Sequence, residues 1–222
     1  MRKELVKRIL SSVILIPLAI FFIVKGSFLF SIFITICFLI TLYEWHMMSK
    51  KKSYYFLGLI FLVFSFYTVY ELRNTSENIS LSLFLFITLI CVSTDVGGYI
   101  FGKLLKGPKL IKLSPNKTYS GMFGGYLLSI IFMSLFFINL EFLFDNTNIE
   151  VTGKELTLNN FILIILVSTA SQFGDIIISY FKRLSKIKDT GKIIPGHGGL
   201  LDRIDGMIFA FPASYLIFKI FY

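Results

Sequence analysis

Residues 179–205 hold the densest chemistry in the chain. They read Ser179-Tyr180-Phe181-Lys182-Arg183, then Lys188-Asp189-Thr190-Gly191, then Pro195-Gly196-His197-Gly198-Gly199-Leu200-Leu201-Asp202-Arg203-Ile204-Asp205. Cations, carboxylates and glycines alternating at this density are the ingredients of phosphoryl or nucleotidyl transfer. Magnesium takes hard oxygen ligands, commonly one or two carboxylates completed by substrate phosphates. Lys and Arg neutralise a polyphosphate, and bare glycine backbone lets N–H groups approach its oxygens. Asp202 and Asp205, three apart, project from one side of any helix that begins there. A solvated basic loop with incidental glycines would explain neither the His-Gly-Gly run nor two aspartates flanking Arg203. His197 could serve as general base, phosphate contact or loop hydrogen bonder. An attacking phosphate is already an anion, which favours the phosphate or loop role.

Two further clusters precede it. In Ser93–Lys103, helical spacing puts Asp95, Tyr99 and Gly102 on nearly one face. Gly98 and Gly102 permit close helix approach, and packing alone would account for them, but packing does not account for Asp95. In Leu113–Gly121, Ser114-Pro115-Asn116 opens a turn, and Lys117-Thr118 supplies a cation and a hydroxyl. The glycine spacing of a P-loop is missing. Taken alone, this segment reads equally well as a plain basic interfacial loop.

These clusters must be positioned by membrane spans. The 222 residues are 55% hydrophobic and only 16% charged, against about a quarter charged in a soluble domain. A span needs about 20 mostly apolar residues. That scale predicts an all-α polytopic bundle of about seven spans, roughly Ile9–Val24, Phe28–Tyr43, Tyr54–Tyr70, Ile79–Phe101, Gly121–Phe144, Leu158–Phe181 and Met207–Phe221. The first follows Arg2, Lys3, Lys7 and Arg8 but has no small-residue cleavage site after it, so it reads as a retained span rather than a signal peptide. With the N-terminus in the cytoplasm, 18 of the 22 Lys and Arg fall in loops on that side, as the positive-inside rule requires. The net charge of +9 then reflects contact with anionic lipid rather than nucleic acid.

The acidic residues sort by face. Glu71, Glu77, Glu141, Asp145, Glu150 and Glu155 fall in external loops, where solvation suffices. Asp95, Asp175, Asp189, Asp202 and Asp205 gather at the cytoplasmic side, and two of them, Asp95 and Asp175, interrupt apolar helices. Carboxylates at such depth are costly unless paired, hydrated or metal-bound, which makes both candidates for function. Cys37 and Cys91 sit in apolar runs, and His46 beside Trp45 reads as interfacial. The chain divides into N-terminal transmembrane helices (1–78) and a catalytic region (79–222) with cytoplasmic loops at 103–120 and 182–205.

The third cluster resembles the signature of the phosphatidate cytidylyltransferase (CDP-diglyceride synthase) family, which runs Ser-x-hydrophobe-Lys-Arg, then Lys-Asp, and ends His-Gly-Gly-x-x-Asp-Arg-x-Asp. The match covers Ser179–Asp205, and the two earlier clusters resemble the family's Asp-x-Gly-Ala-Tyr and Ser-Pro-x-Lys-Thr segments in the same order. Two departures stand out. Tyr119-Ser120 occupies the place of Trp-Glu or Trp-Gln, and Ile178 that of a glutamate before Ser179.

The resemblance implies that CTP and phosphatidate become CDP-diacylglycerol and pyrophosphate, with Mg2+ and an optional second metal ion. It implies Asp202, Asp205, Asp175 and Asp189 as metal ligands. Lys182, Arg183, Lys188 and Arg203 would hold phosphates, with Asp189, Asp202, Asp205 and His197 also in the catalytic set. Asp95, Tyr99, Ser114, Asn116, Lys117, Thr118, Ser179, Gly198 and Gly199 would line the substrate site. The implied partners are CTP, phosphatidate and membrane lipids, with a second copy of the chain left open and no nucleic acid. The implied location is the bacterial inner membrane with a cytoplasmic active site. Two rivals remain: a CTP-dependent lipid-alcohol kinase, which would transfer the γ-phosphate, and a transporter using Asp95 and Asp175. The transporter would require polar residues near mid-bilayer and internal repeats, neither of which the sequence carries.

Overall fold

The computed structural model describes residues 2–74, 77–111, 114–144 and 158–221. The elements in order are α1 (Arg2–Lys25), α2 (Ser27–Ser49), α3 (Tyr55–Asn74), α4 (Glu77–Leu105), β1 (Lys109–Ile111), β2 (Ser114–Thr118), α5 (Tyr119–Phe144), α6 (Leu158–Leu184), α7 (Leu201–Ile204) and α8 (Met207–Phe221). Each of the seven apolar segments is a helix, because a chain in lipid must satisfy its backbone N–H and C=O groups internally. Among the described residues, six helices are long and apolar enough to cross a membrane, while α8 has only 15 residues. Large apolar side chains such as Phe28, Phe56, Leu57, Ile60 and Phe123 cover the outside of the bundle, where lipid solvates them.

Two local departures from the expected all-α layout bear on the site. The first helix begins at Arg2 rather than near Ile9, so its basic first turns continue past the apolar stretch. The loop after α4 contains an antiparallel hairpin in which Lys109 faces Thr118 and Ile111 faces Ser114. Lys106 (φ 54°) and Gly107 (φ 104°) turn the chain into it. The Ser120 hydroxyl donates to the Lys106 carbonyl and the Tyr119 N–H to that of Pro108 (3.1 Å), tying the base of the hairpin to α5.

Between lipid-solvated helices, close packing and small residues replace the hydrophobic driving force, and α4 and α5 show this most clearly. Gly97 and Gly98 meet Gly121 and Gly124 so closely that a Cβ on Gly121 would lie 2.8 Å from the Gly98 carbonyl oxygen. One buried cluster, including Phe30, Ile87, Ile90, Met133, Ile164 and Val167, joins α2, α4, α5 and α6. A second, of Trp45, Met48, Leu62, Phe66, Ile178, Leu201 and Ile208, lies beneath the signature loop, where fully buried Leu201 anchors α7.

One end of the bundle gathers the loops that the lysine pattern groups together. Arg8 of α1 donates to Gly196 O (2.7 Å), Tyr54 after α2 meets Ser185 (2.9 Å), and Ser185 donates to Met48 O (2.9 Å). At the other end, Arg73 of α3 holds the Ile23 carbonyl through two N–H groups, at 3.0 and 2.9 Å.

Candidate active site

A cavity of about 430 Å³ opens at the loop-rich end. The glycine-packed α4–α5 pair supplies Asp95 and Tyr99 on one side and, through β2, Lys117 and Thr118 on the other. Asp175, Ser179 and Arg183 come from α6, Lys188 and Asp189 from the loop that follows, and Asp202 and Asp205 from α7 and its end. All four aspartates expected to meet a metal line this one space.

Two ion pairs organise it. Lys117 Nζ lies 2.7 Å from Asp175 Oδ2, which fixes hairpin to helix. The ammonium nitrogen is buried, and the Asp175 carboxylate is the partner found for it among the described residues. Asp175 also accepts from Ser179 Oγ at 3.4 Å. In the second pair, Lys182 Nζ lies 2.9 Å from Asp202 Oδ1, while Asp202 Oδ2 accepts the Thr190 N–H (2.8 Å) and the Gly199 N–H (3.0 Å). Burial pushes the Asp202 carboxyl up. The Lys182 ammonium and the two N–H donors outweigh that and hold it below the usual carboxylate range.

Asp205 is the opposite case. It is 9% exposed, and burial followed by the neighbouring Asp175 charge raises its carboxyl well above the usual range. Asp175 and Asp205 both line the cavity. A cation in the cavity would relieve the charge repulsion that raises Asp205. No three acidic, His or Cys groups converge to metal-binding spacing among the described residues. The donor set therefore suits a hard cation that takes one or two carboxylates here and its remaining oxygens from phosphate.

Other expected site residues lie off the cavity wall. Gly198 and Gly199 shape the loop backbone, with Gly198 at φ 95° and the Gly199 N–H on Asp202. Arg203 is exposed and donates to the His197 carbonyl. The His197 ring meets Ser11 Oγ (2.9 Å) through Nδ1 and Ser12 Oγ (3.5 Å) through Nε2, and it does not line the cavity. This is the loop role, in contact with α1. Burial and the Arg203 and Arg8 charges hold its imidazole below its ordinary value. The side chains of Ser114 and Asn116 lie outside the described residues, although both belong to β2.

Sequence reasoning missed several residues. Thr94, Gln172 and Met122 line the cavity, and Thr94 Oγ1 donates to Ser168 Oγ (2.8 Å), joining α4 to α6. Arg8, Ser11 and Ser12 of α1 hold the signature loop from the N-terminal side. Glu44 of α2 lies 1% exposed behind the same loop. A carboxylate inside an apolar run was the available signal for Glu44.

A polytopic helical bundle with two lysine–aspartate pairs at one cavity is the architecture of an integral membrane protein with a polar site at one end. Residues 6–79 and 53–221 match the model of the cytidylyltransferase family, and the chain belongs to that family. It is 34% identical over 218 residues to a phosphatidate cytidylyltransferase of Rickettsia bellii, covering 97% of this chain and 91% of the relative. The Rickettsia felis protein of the same name is likewise 34% identical, over 97% of this chain and 93% of its own length. A longer Staphylococcus saprophyticus phosphatidate cytidylyltransferase is 39% identical over 157 residues, 70% of this chain and 55% of the relative.

Proposed function

We propose that this chain is a phosphatidate cytidylyltransferase, converting CTP and phosphatidate into CDP-diacylglycerol and pyrophosphate in phospholipid biosynthesis. The observation that carries this reading is that Lys117, Asp175, Arg183, Lys188, Asp202 and Asp205 line one cavity at one end of the bundle, with Lys182 paired to Asp202 behind it. A phosphate oxygen of phosphatidate attacks the α-phosphorus of CTP, the bond from that phosphorus to the bridging oxygen breaks, and pyrophosphate leaves. The chain's residues position the two anions and neutralise them, which lowers the barrier without a covalent intermediate. Lys117 on the cavity wall takes a phosphate oxygen, while Arg183 and Lys188 on the same wall balance the triphosphate.

Asp175 and Asp205, with Asp189 and Asp202 beside them, would hold magnesium. Bound magnesium supplies charge neutralisation to the triphosphate and to the departing pyrophosphate. The lysine bias supports a cytoplasmic site, where CTP arrives from water and the lipid headgroup from the inner leaflet.

The test is to incubate membranes containing the protein with phosphatidate and α-labelled CTP. Label in the lipid with stoichiometric pyrophosphate is the expected result. Label left in CDP, with γ-phosphate on a lipid alcohol, would replace this reading with a kinase.

A further inference from the structure

Glu44 is a buried carboxylate that forms no ion pair among the described residues, on a helix that lies outside the signature. Its Oε1 accepts the Leu200 N–H (2.9 Å), and its Oε2 accepts the Leu201 N–H (2.8 Å) and the Thr190 hydroxyl (3.0 Å). These are the same stretches of chain that Asp202 grips from the other side, through the Thr190 and Gly199 N–H groups. Thr190 thus gives its hydroxyl to one carboxylate and its N–H to the other. Two glycines make room for this. A Cβ on Gly191 would lie 2.6 Å from Glu44 Oε1, and one on Gly199 would lie 2.6 Å from Oε2. Donors aimed at a buried carboxylate offset its desolvation only if all are present. The loop therefore has one low-energy shape around Glu44.

We infer that Glu44 is a positioning residue for the transfer reaction: it fixes the Thr190 and Gly199–Leu201 segments, and through them the placement of Asp202 and Asp205 in the cavity. The inference rests on the cytidylyltransferase reading above. Glu44 touches no substrate, since it does not line the cavity; it acts by holding the loop that carries the carboxylates. Groups that orient the residues of a catalytic centre typically matter by about 10–100-fold.

The experiment compares wild type, Glu44→Gln and Thr190→Val in detergent or nanodiscs. In Glu44→Gln an amide N–H must face the donor N–H of Leu200 or Leu201. Thr190→Val removes one hydroxyl and leaves Glu44 and both backbone donors in place. With α-labelled CTP, the expected result is a kcat lowered about 10–100-fold in Glu44→Gln and lowered less in Thr190→Val, with KM for phosphatidate unchanged. In metal-free protein, amide exchange at Thr190, Leu200 and Leu201 should quicken in the same order. A structural role alone would reduce the yield of folded protein and leave kcat per folded molecule intact. Wild-type kcat and exchange in both variants would overturn the inference. If Glu44→Gln does not fold, Thr190→Val decides, and kcat within twofold of wild type overturns it. Wild type that transfers no label to phosphatidate would instead overturn the functional reading, since amide exchange reports on Glu44 independently of turnover.

Discussion

Lys182 Nζ sits 2.9 Å from Asp202 Oδ1, and this pair ties the end of α6 to the short helix that carries Asp202 and leads into Asp205. The side chains are only 13% and 5% exposed. Removing the ammonium would leave a carboxylate with little water, an arrangement that costs about 3–5 kcal/mol in comparable buried pairs. Lys182→Met should therefore lower both the thermal midpoint and turnover, whereas Lys182→Arg should keep most of the stability. Thermal unfolding in detergent beside the label-transfer assay checks both, and an unshifted midpoint in Lys182→Met would dissolve the pair's role.

The same pair has a pH signature. The Asp202 carboxyl is held below its ordinary value, so its stabilising effect is complete above the unfolded carboxylate pKa of about 3.9 and is lost as pH falls from there through the folded value. Acid unfolding of Lys182→Met should begin at higher pH than that of wild type, read by circular dichroism.

Asp205 gives the sharpest test of the site. Its carboxyl is raised by burial and by Asp175, so protons would compete with the proposed magnesium ion for the same oxygens. The magnesium concentration for half-maximal activity should fall as pH rises, because deprotonation frees the ligand. Asp205→Asn should insert normally and abolish turnover. Near-normal turnover in that variant would remove Asp205 from the proposed metal site.

The seven apolar helices were legible because lipid leaves a spanning chain few other conformations, and the aspartates were legible because charge inside an apolar run demands an explanation. Hydropathy missed the first turns of α1 because its lysines and arginines continue the helix past the apolar stretch. It also missed the hairpin, which hangs on a positive-φ turn and two short hydrogen-bonded segments. Glu44 obeys the same rule that singled out Asp95 and Asp175, yet its partners lie at Thr190, Leu200 and Leu201. No local pattern announces contacts across that separation. Ser120, which stands where the resembled family carries Glu or Gln, binds the Lys106 carbonyl and so has a hairpin-fixing role of its own.

The α4–α5 contact should tolerate no added methyl. In Gly121→Ala the new Cβ would meet the Gly98 carbonyl at 2.8 Å and Thr118 Oγ1 at 3.2 Å, so α5 must move outward. Overpacking of this kind costs about 1–3 kcal/mol. Because Thr118 and Lys117 adjoin the shifted helix, activity should fall together with the thermal midpoint. Loss of neither would show that the two helices have slack the close approach denies.

His197 should leave no mark on the pH–rate profile. Its ring faces the Ser11 and Ser12 hydroxyls on α1 rather than the cavity, and burial with the Arg203 and Arg8 charges holds its imidazole below the ordinary value of about 6.5. A lowered histidine contributes stability above that ordinary value and loses it as pH falls through the folded one. Its titration therefore belongs in the unfolding curve, while turnover at neutral pH proceeds with the ring uncharged. His197→Asn keeps a hydrogen-bonding group near the Nδ1 position that meets Ser11 and should keep activity within about tenfold of wild type, below the usual effect of removing a general base, about 10²–10⁴-fold. Its pH–rate profile should be superimposable on that of wild type. A limb near neutral pH that vanishes in His197→Asn would instead make the imidazole a proton carrier in the reaction, and would require the loop to turn His197 from α1 into the cavity during turnover.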